Sequence, residues 1–374
     1  MRHICYVTGN RADFGLIRST LQKIDSHPQL KLSIAMTGMH LIAKYGSTKQ
    51  DVVNAGFNTY IVDSKEDSTQ LSMAVSVGEQ ISGFSKLFSS LHPSIVLVLG
   101  DRGEMLAASI AALYLNIPVA HIHGGELSGT VDECIRHAIS KLSHFHFVAT
   151  QKSQQRLVRM GEKAANVMVT GAPGLDDIIN VQIPAKTNLC DELVINPNGY
   201  ILTVIFHPIV QDAELAGGQM EEVLSALPED YQIVILMPNA DAGAGLIRDK
   251  ISEYSLARKN VTTAAHISRN LYLSLLAHSD VLIGNSSSGI IEAASFGTWV
   301  INIGGRQANR ERNANTIDVE VEGIAIKRLI NYVLTTTKLK PNNVYGDGQT
   351  GARITDLLLT VEINDETTKK CNSY

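Results

Sequence analysis

Ile95-Val96-Leu97-Val98-Leu99-Gly100-Asp101-Arg102 and Pro118-Val119-Ala120-His121-Ile122-His123-Gly124-Gly125-Glu126 are the stretches that decide the fold. Each is a short apolar run that breaks into glycine and charged residues. A segment of helical length separates them. Strand, helix and strand, with near-continuous apolar strands, is the unit of a parallel sheet covered on both faces. Ligands of such sheets bind outside the carboxyl ends of the strands. Asp101, Arg102, His121, His123 and Glu126 are therefore expected to form the floor of an active site, with Ser128, Gly129, Thr130, Asp132, Arg136 and His137 following. Any one of these residues alone reads better as a helix cap or as surface polarity. So many at two adjacent strand ends point to function.

The same alternation extends outward. His3 to Thr8 is an apolar strand that runs into Gly9-Asn10-Arg11-Ala12-Asp13 and a helical pattern through Leu16, Ile17, Leu21 and Ile24. A strand, a glycine and a helix start make an anion site, because free backbone N–H groups and the helix dipole point outward there. Arg11 adds a fork donor suited to phosphate; the plainer reading has Asp13 capping the helix and Arg11 solvated. The dinucleotide fingerprint is missing, since Gly9 lacks its two partner glycines. Strands are also expected at 30–36, 60–63, 145–148 and 167–169, and helices at 69–90 and 151–161. After a seam near 171–199 the alternation restarts, with strands at 200–206, 233–237, 281–283 and 299–303 and helices at 324–334 and 352–361. The tail, 362–374, reads as polar and frayed.

The expected fold is α/β, with two doubly wound Rossmann-like domains whose strand ends face a central cleft. The first domain is placed at 1–175, with a C-terminal helix at about 350–366 packing back on it, and the second at 176–349. A chain of 374 residues is long enough for two cores. Its net charge of −5, without a basic block, argues against a nucleic-acid partner. The apolar runs are of strand length, so no membrane span is expected. Cys5, Cys134, Cys190 and Cys371 lack metal-ligand spacing. With no secretory leader they read as reduced thiols of a cytoplasmic protein. His121 and His123 have no evident third ligand, so no metal is expected.

In the second half, Gly284-Asn285-Ser286-Ser287-Ser288-Gly289 is the strongest anion-site candidate, because small residues let backbone N–H groups approach a phosphate. Glu292 sits one turn further on, placed to accept from sugar hydroxyls. His207 follows a buried strand directly and precedes Pro208. Arg306, Arg310 and Arg312 make the next loop basic.

Taken together, these stretches resemble the hydrolysing UDP-N-acetylglucosamine 2-epimerases of the type that begins sialic acid synthesis. The resemblance rests on Thr8-Gly9-Asn10-Arg11-Ala12-Asp13, Gly38-Met39-His40, Gly100-Asp101-Arg102, His121-Ile122-His123-Gly124-Gly125-Glu126, Ile135-Arg136-His137-Ala138-Ile139-Ser140-Lys141, Phe206-His207-Pro208, Asn239-Ala240-Asp241-Ala242-Gly243, Gly284-Asn285-Ser286-Ser287 and Arg306-Gln307. Jointly these motifs span nearly the whole chain.

The resemblance implies the glycosyltransferase GT-B arrangement, a homodimer or homotetramer, and no nicotinamide, metal or other cofactor. The implied reaction converts UDP-N-acetylglucosamine and water to N-acetylmannosamine and UDP, by way of 2-acetamidoglucal. By matching positions it implies acid/base roles for Asp101 and Asp132, with His207 near the reacting diphosphate. It implies UDP or substrate contacts for Arg11, Arg102, Asn239, Ser286, Ser287, Gly289, Glu292 and Arg306, with Glu292 on the ribose. Some relatives carry glutamate where this chain has His123, so the C2 base stays open among Asp101, Glu126 and His123. Three alternatives remain open. One is a hydrolysing 2-epimerase of UDP-N,N'-diacetylbacillosamine, in legionaminic acid synthesis. Another is a non-hydrolysing epimerase, disfavoured because Glu-Ala-Gly would be expected in place of His123-Gly124-Gly125. The third is an inactive nucleotide-sugar binding protein.

Overall fold

The computed structural model describes residues 1–42, 48–64, 70–127, 132–180, 182–238, 241–265 and 267–373. The chain divides into two compact units. The first holds Met1–Glu126, Val131–Ile179 and Tyr345–Tyr374, and the second is built on Asn180–Val344. Each is a Rossmann-like, doubly wound parallel sheet, the α/β class expected from the strand–helix alternation.

The strands of the first unit are β1 (Arg2–Thr8), β2 (Leu30–Met36), β3 (Thr59–Ile61), β4 (Ile95–Leu99), β5 (Val119–Ile122), β6 (Phe145–Val148) and β7 (Val167–Val169). Their order is β3-β2-β1-β4-β5-β6-β7, with every pair parallel. Alternate residues of each strand serve opposite faces of the sheet. Ile4 and Tyr6 pack with Phe14, Ile17, Leu21 and Ile354 on one side, while Cys5 and Val7 pack with Phe84, Phe88, Met105 and Ile139 on the other. Both faces are covered by helices, which is why the central strands are apolar without alternation. The helix Thr350–Thr360 belongs to this unit, and Asp176 caps its start, accepting from Thr350 N at 2.9 Å and Gly351 N at 2.7 Å.

The second unit has β8 (Ile201–Ile205), β9 (Gln232–Leu236), β10 (Val261–Ala264), β11 (Val281–Gly284), β12 (Trp299–Ile303) and β13 (Thr316–Val319), in the order β10-β9-β8-β11-β12-β13. β10 and β13 escape the hydrophobic pattern because both are edge strands and largely polar, Val-Thr-Thr-Ala and Thr-Ile-Asp-Val. The seam also holds a helix, Lys186–Leu193, whose Leu189, Cys190 and Leu193 pack against Ile201, Val234, Leu271 and Leu275. Eight residues with three apolar positions are too few to show a helical period.

The frayed tail is corrected by the structure. Asn364 caps a short helix, Asp365–Thr368. Lys370 then donates to the carbonyls of Ser140, Lys141 and Ser143 and pairs with Glu162 at 2.6 Å. A cation on the last carbonyls of the helix Asp132–Leu142 is favourable in itself, and polarity alone gave no sign of it. Among the described residues no helix is long and apolar enough to cross a membrane.

Candidate active site

In each sheet the order in which strands are added reverses at one place, between β1 and β4 in the first unit and between β8 and β11 in the second. Ligand crevices open at such switch points. The sequence candidates fall there. The loops after β1 and β4 carry Arg11, Asp101 and Arg102; those after β8 and β11 carry His207, Ser286 and Ser287.

At the end of β1, Asn10 and Asp13 form a capping box. Asp13 accepts from Gly9 N at 3.0 Å, from Asn10 N at 2.9 Å and from the Thr8 hydroxyl. Burial pushes its carboxyl up to about 7 against these donors. His40 reaches the same Thr8 hydroxyl at 2.9 Å, and burial lowers its imidazole to about 4. Glu104 lies directly beneath: a Cβ at Gly9 would come within 2.5 Å of its Oε1, and one at Gly38 within 2.6 Å. Gly38, whose φ is +57°, also needs the conformational freedom of glycine. Asp13 is thus a cap, as its plainer reading had it, and also part of a buried polar cluster. Arg11 is half-exposed and pairs with Asp51 at 3.4 Å.

At the ends of β4 and β5 the two histidines part company. His121 is fully buried, with Nε2 2.7 Å from Gly100 O and Nδ1 3.1 Å from Ser140 Oγ. Burial lowers it to about 3. A neutral ring whose Nε2–H donates to the carbonyl and whose Nδ1 accepts from the serine satisfies both contacts, so His121 is structural. His123 turns away from the strand. Its φ is +63°, the left-handed region, and Gly125 follows at +74°. A Cβ at Gly125 would come within 2.6 Å of Ser153 O, so only glycine fits. The turn lays His123 Nδ1 2.5 Å from Glu126 Oε1. Arg136 joins Glu126 to Asp101, donating to Glu126 Oε2 at 3.2 Å and to Asp101 Oδ2. Arg102 occupies the N-cap position of the helix Gly103–Tyr114, and its Nη2 comes within 3.8 Å of Met39 Sδ. Asp132 opens the helix Asp132–Leu142, and Arg136 lies one turn on along the same face.

In the second unit, His207 is fixed through its backbone by Asn285, and Arg306 Nη1 and Gln307 Nε2 hold Asn285 O at 3.2 and 3.0 Å. Burial and the Arg306 guanidinium bring the His207 ring down to about 3, so it is neutral. Ser286 caps the short helix Ser287–Ile291. Gly289 is buried against the sheet, where a Cβ would come within 2.7 Å of Leu282 Cδ2. Glu292 accepts from Arg269 and from Ser288, whose hydroxyl also takes the Tyr272 O–H. A recess of about 380 Å³ lined by Phe206, Asp212, Asn285, Gly304 and Glu320 opens at these strand ends. Asn239 lies outside the described residues, as do Ser128, Gly129 and Thr130.

The sequence model of the UDP-N-acetylglucosamine 2-epimerases matches residues 22–359. The chain belongs to that family. It is 46% identical, over 100% of both chains, to the UDP-N,N'-diacetylbacillosamine 2-epimerase (hydrolyzing) of Legionella pneumophila. It is 33% identical to the UDP-N-acetylglucosamine 2-epimerase of Neisseria meningitidis serogroup B, over 94% of this chain and 92% of that one. A crystal structure of a Neisseria meningitidis UDP-GlcNAc 2-epimerase bound to UDP-GlcNAc shares the fold, with TM-score 0.80 at 20% identity over 96% of this chain and 100% of that one. The family resemblance of the motifs therefore holds, and the chain is an enzyme of the UDP-sugar 2-epimerase type. Sequence reading gave no role to Arg269 or Tyr272, and placed Asn285 in the anion-site stretch without seeing its bonds to His207. Arg136 stood in a motif without a role; its spacing of four from Asp132 was the available signal.

Proposed function

We propose that this epimerase hydrolyses UDP-N,N'-diacetylbacillosamine, inverting C2 to release UDP and the free 2,4-diacetamido-2,4,6-trideoxymannose. The observation that carries this reading is the end-to-end 46% identity with the Legionella pneumophila enzyme of that name. The expectation of UDP-N-acetylglucosamine as substrate becomes the second reading, supported by the 33% identity with the Neisseria meningitidis enzyme.

The chemistry is common to both substrates. The C2 proton is not acidic in the ground state. It becomes so as the C1–O bond to UDP breaks and C1 gains oxocarbenium character. A base removes it, the C2–H electrons become the C1=C2 bond, and the C1–O pair leaves on UDP. Water then adds at C1 while an acid protonates C2 from the other face. The acid and base belong to the Asp101, Asp132, His123 and Glu126 group, two proton-transfer functions set apart by their surroundings. Within the second unit, Arg306 and the backbone at Ser286–Ser287 serve the departing diphosphate beside neutral His207, and Arg11 and Arg102 of the first unit are proposed as further substrate contacts. Glu292 retains lone pairs for ribose hydroxyls. No step calls for a metal or a nicotinamide.

The test is incubation with each UDP-sugar in deuterated water, read by proton NMR. The expected result is a free manno-configured diacetamido sugar with deuterium at C2, plus UDP, formed faster than N-acetylmannosamine forms from UDP-N-acetylglucosamine. Preference for UDP-N-acetylglucosamine would select the second reading. Recovery of UDP-sugars alone would indicate a non-hydrolysing epimerase, and UDP binding without turnover an inactive binding protein.

A further inference from the structure

Four side chains at the ends of β4 and β5 form one hydrogen-bonded line. His123 Nδ1 meets Glu126 Oε1 at 2.5 Å; Glu126 Oε2 accepts from Arg136 Nη1 at 3.2 Å; Arg136 Nη2 donates to Asp101 Oδ2. Arg136 Nη1 also holds the carbonyl of His123 at 3.3 Å, bracing the left-handed residue itself. The middle of the line is closed to solvent, with Arg136 2% and Glu126 4% exposed. Its two ends are the groups with proton-transfer chemistry to offer. A buried arginine in a sugar-nucleotide enzyme invites the role of phosphate ligand, but this guanidinium is committed to two carboxylates and a carbonyl. Burial alone would lower its pKa, and the Asp101 and Glu126 carboxylates more than reverse that.

We propose that Arg136 and Glu126 are positioning residues that set His123 and Asp101 as one unit, so that His123 exchanges its proton with substrate at Nε2. This rests on the epimerase reading above for its chemical purpose, though the pairing itself does not. An ionised carboxylate only accepts, so Glu126 requires the proton of neutral His123 to sit on Nδ1. The lone pair is then on Nε2, the ring's other edge, and any proton His123 takes from or gives to carbon passes there. The planar fork of arginine reaches two carboxylates at once with defined geometry, which a lysine ammonium does not. The left-handed turn at His123 is a strained feature of the kind retained where geometry serves chemistry.

The test uses the full chain labelled with 15N-histidine, with the His123 signals assigned by their loss in His123→Asn. The expected spectrum shows neutral His123 protonated on Nδ1, and Glu126→Gln shifts population to the Nε2–H form. In parallel, Arg136→Lys and Glu126→Gln lower kcat by at least about 100-fold, with KM and UDP affinity within about threefold of wild type. An Nε2–H tautomer in wild type overturns the proposal, as does an Arg136→Lys enzyme with near-normal kcat. A purely structural role would lower the melting temperature and leave the tautomer of the folded fraction unchanged. The tautomer is read without substrate. An enzyme that turns over no UDP-sugar but shows the Nδ1–H form would therefore refute the functional reading and keep the pairing.

Discussion

Asn285 holds His207 at both backbone groups, accepting from His207 N at 2.7 Å through Oδ1 and donating to His207 O at 2.8 Å through Nδ2. The two residues lie just beyond β8 and β11, the neighbours across the switch point of the second unit. An amide side chain thus does what a further ladder rung would do if the strands ran on, and the His207 ring is aimed by a rigid backbone.

Replacing Asn285 with leucine removes both bonds and leaves the two His207 groups without their partner. Asn285 is 1% exposed, so the loss is not made good by bulk water. The expected destabilisation is about 2 kcal/mol, read as a lower denaturant midpoint at unchanged slope. kcat should fall by more than the folded fraction. Unchanged stability would show that the pair contributes nothing to the strand ends.

The neutral state of His207 gives a signed pH expectation. Its folded pKa is depressed, from 6.5 to about 3, by burial and Arg306. Between those values the unfolded chain binds the extra proton. The stability tied to this ring is therefore fully present above about pH 6.5 and is lost as pH falls towards 3. The imidazole should show no titration between pH 5 and 8 by histidine NMR. A midpoint near 6.5 would mean that the ring is open to solvent and that Arg306 lies elsewhere in solution.

Asp101→Asn tests the proton-transfer assignment. The substitution keeps the shape and removes both a proposed proton-transfer carboxylate and the anionic partner of Arg136. Product formation should fall about 10³-fold, while UDP, proposed to be held by the second unit, binds with unchanged affinity by calorimetry. Turnover near that of wild type would take Asp101 out of the mechanism.

What could be read from the chain alone follows from where each signal originates. β1, β4, β5, β8, β11 and β12 are buried on both faces, so they appear as apolar runs, and their ends carry the candidates. Asp101, His123 and His207 could be singled out as candidates because a polar residue just after such a run has few structural uses. The partners of these residues were not legible. Arg136, Asn285 and Arg269 act through contacts 35, 78 and 23 residues away in the chain, and local sequence does not show those pairings. β10, β13 and the helix Lys186–Leu193 were missed because edge position or brevity erases periodicity.

The C-terminal anchor yields a last expectation. Glu162, 2% exposed, receives His146 Nε2 at 3.0 Å, Lys141 at 2.8 Å and Lys370 at 2.6 Å. Burial would raise its carboxyl, but the bonds from His146, Lys141 and Lys370 overcome this and hold it at about 2. The depressed value means that this stability is present above about pH 4.5, the ordinary glutamate range, and is lost as pH falls towards 2. Glu162→Gln leaves cations facing one another in a buried place, at an expected cost of about 3 kcal/mol. Lys370→Ala instead frees the carbonyls of Ser140, Lys141 and Ser143 and releases the tail while keeping Lys141 on Glu162. Limited proteolysis should then cleave between Val361 and Lys370 in Lys370→Ala but not in wild type at pH 7, and wild type should become cleavable there below about pH 4. Equal resistance of both proteins would show that the tail is held by its capped helix alone.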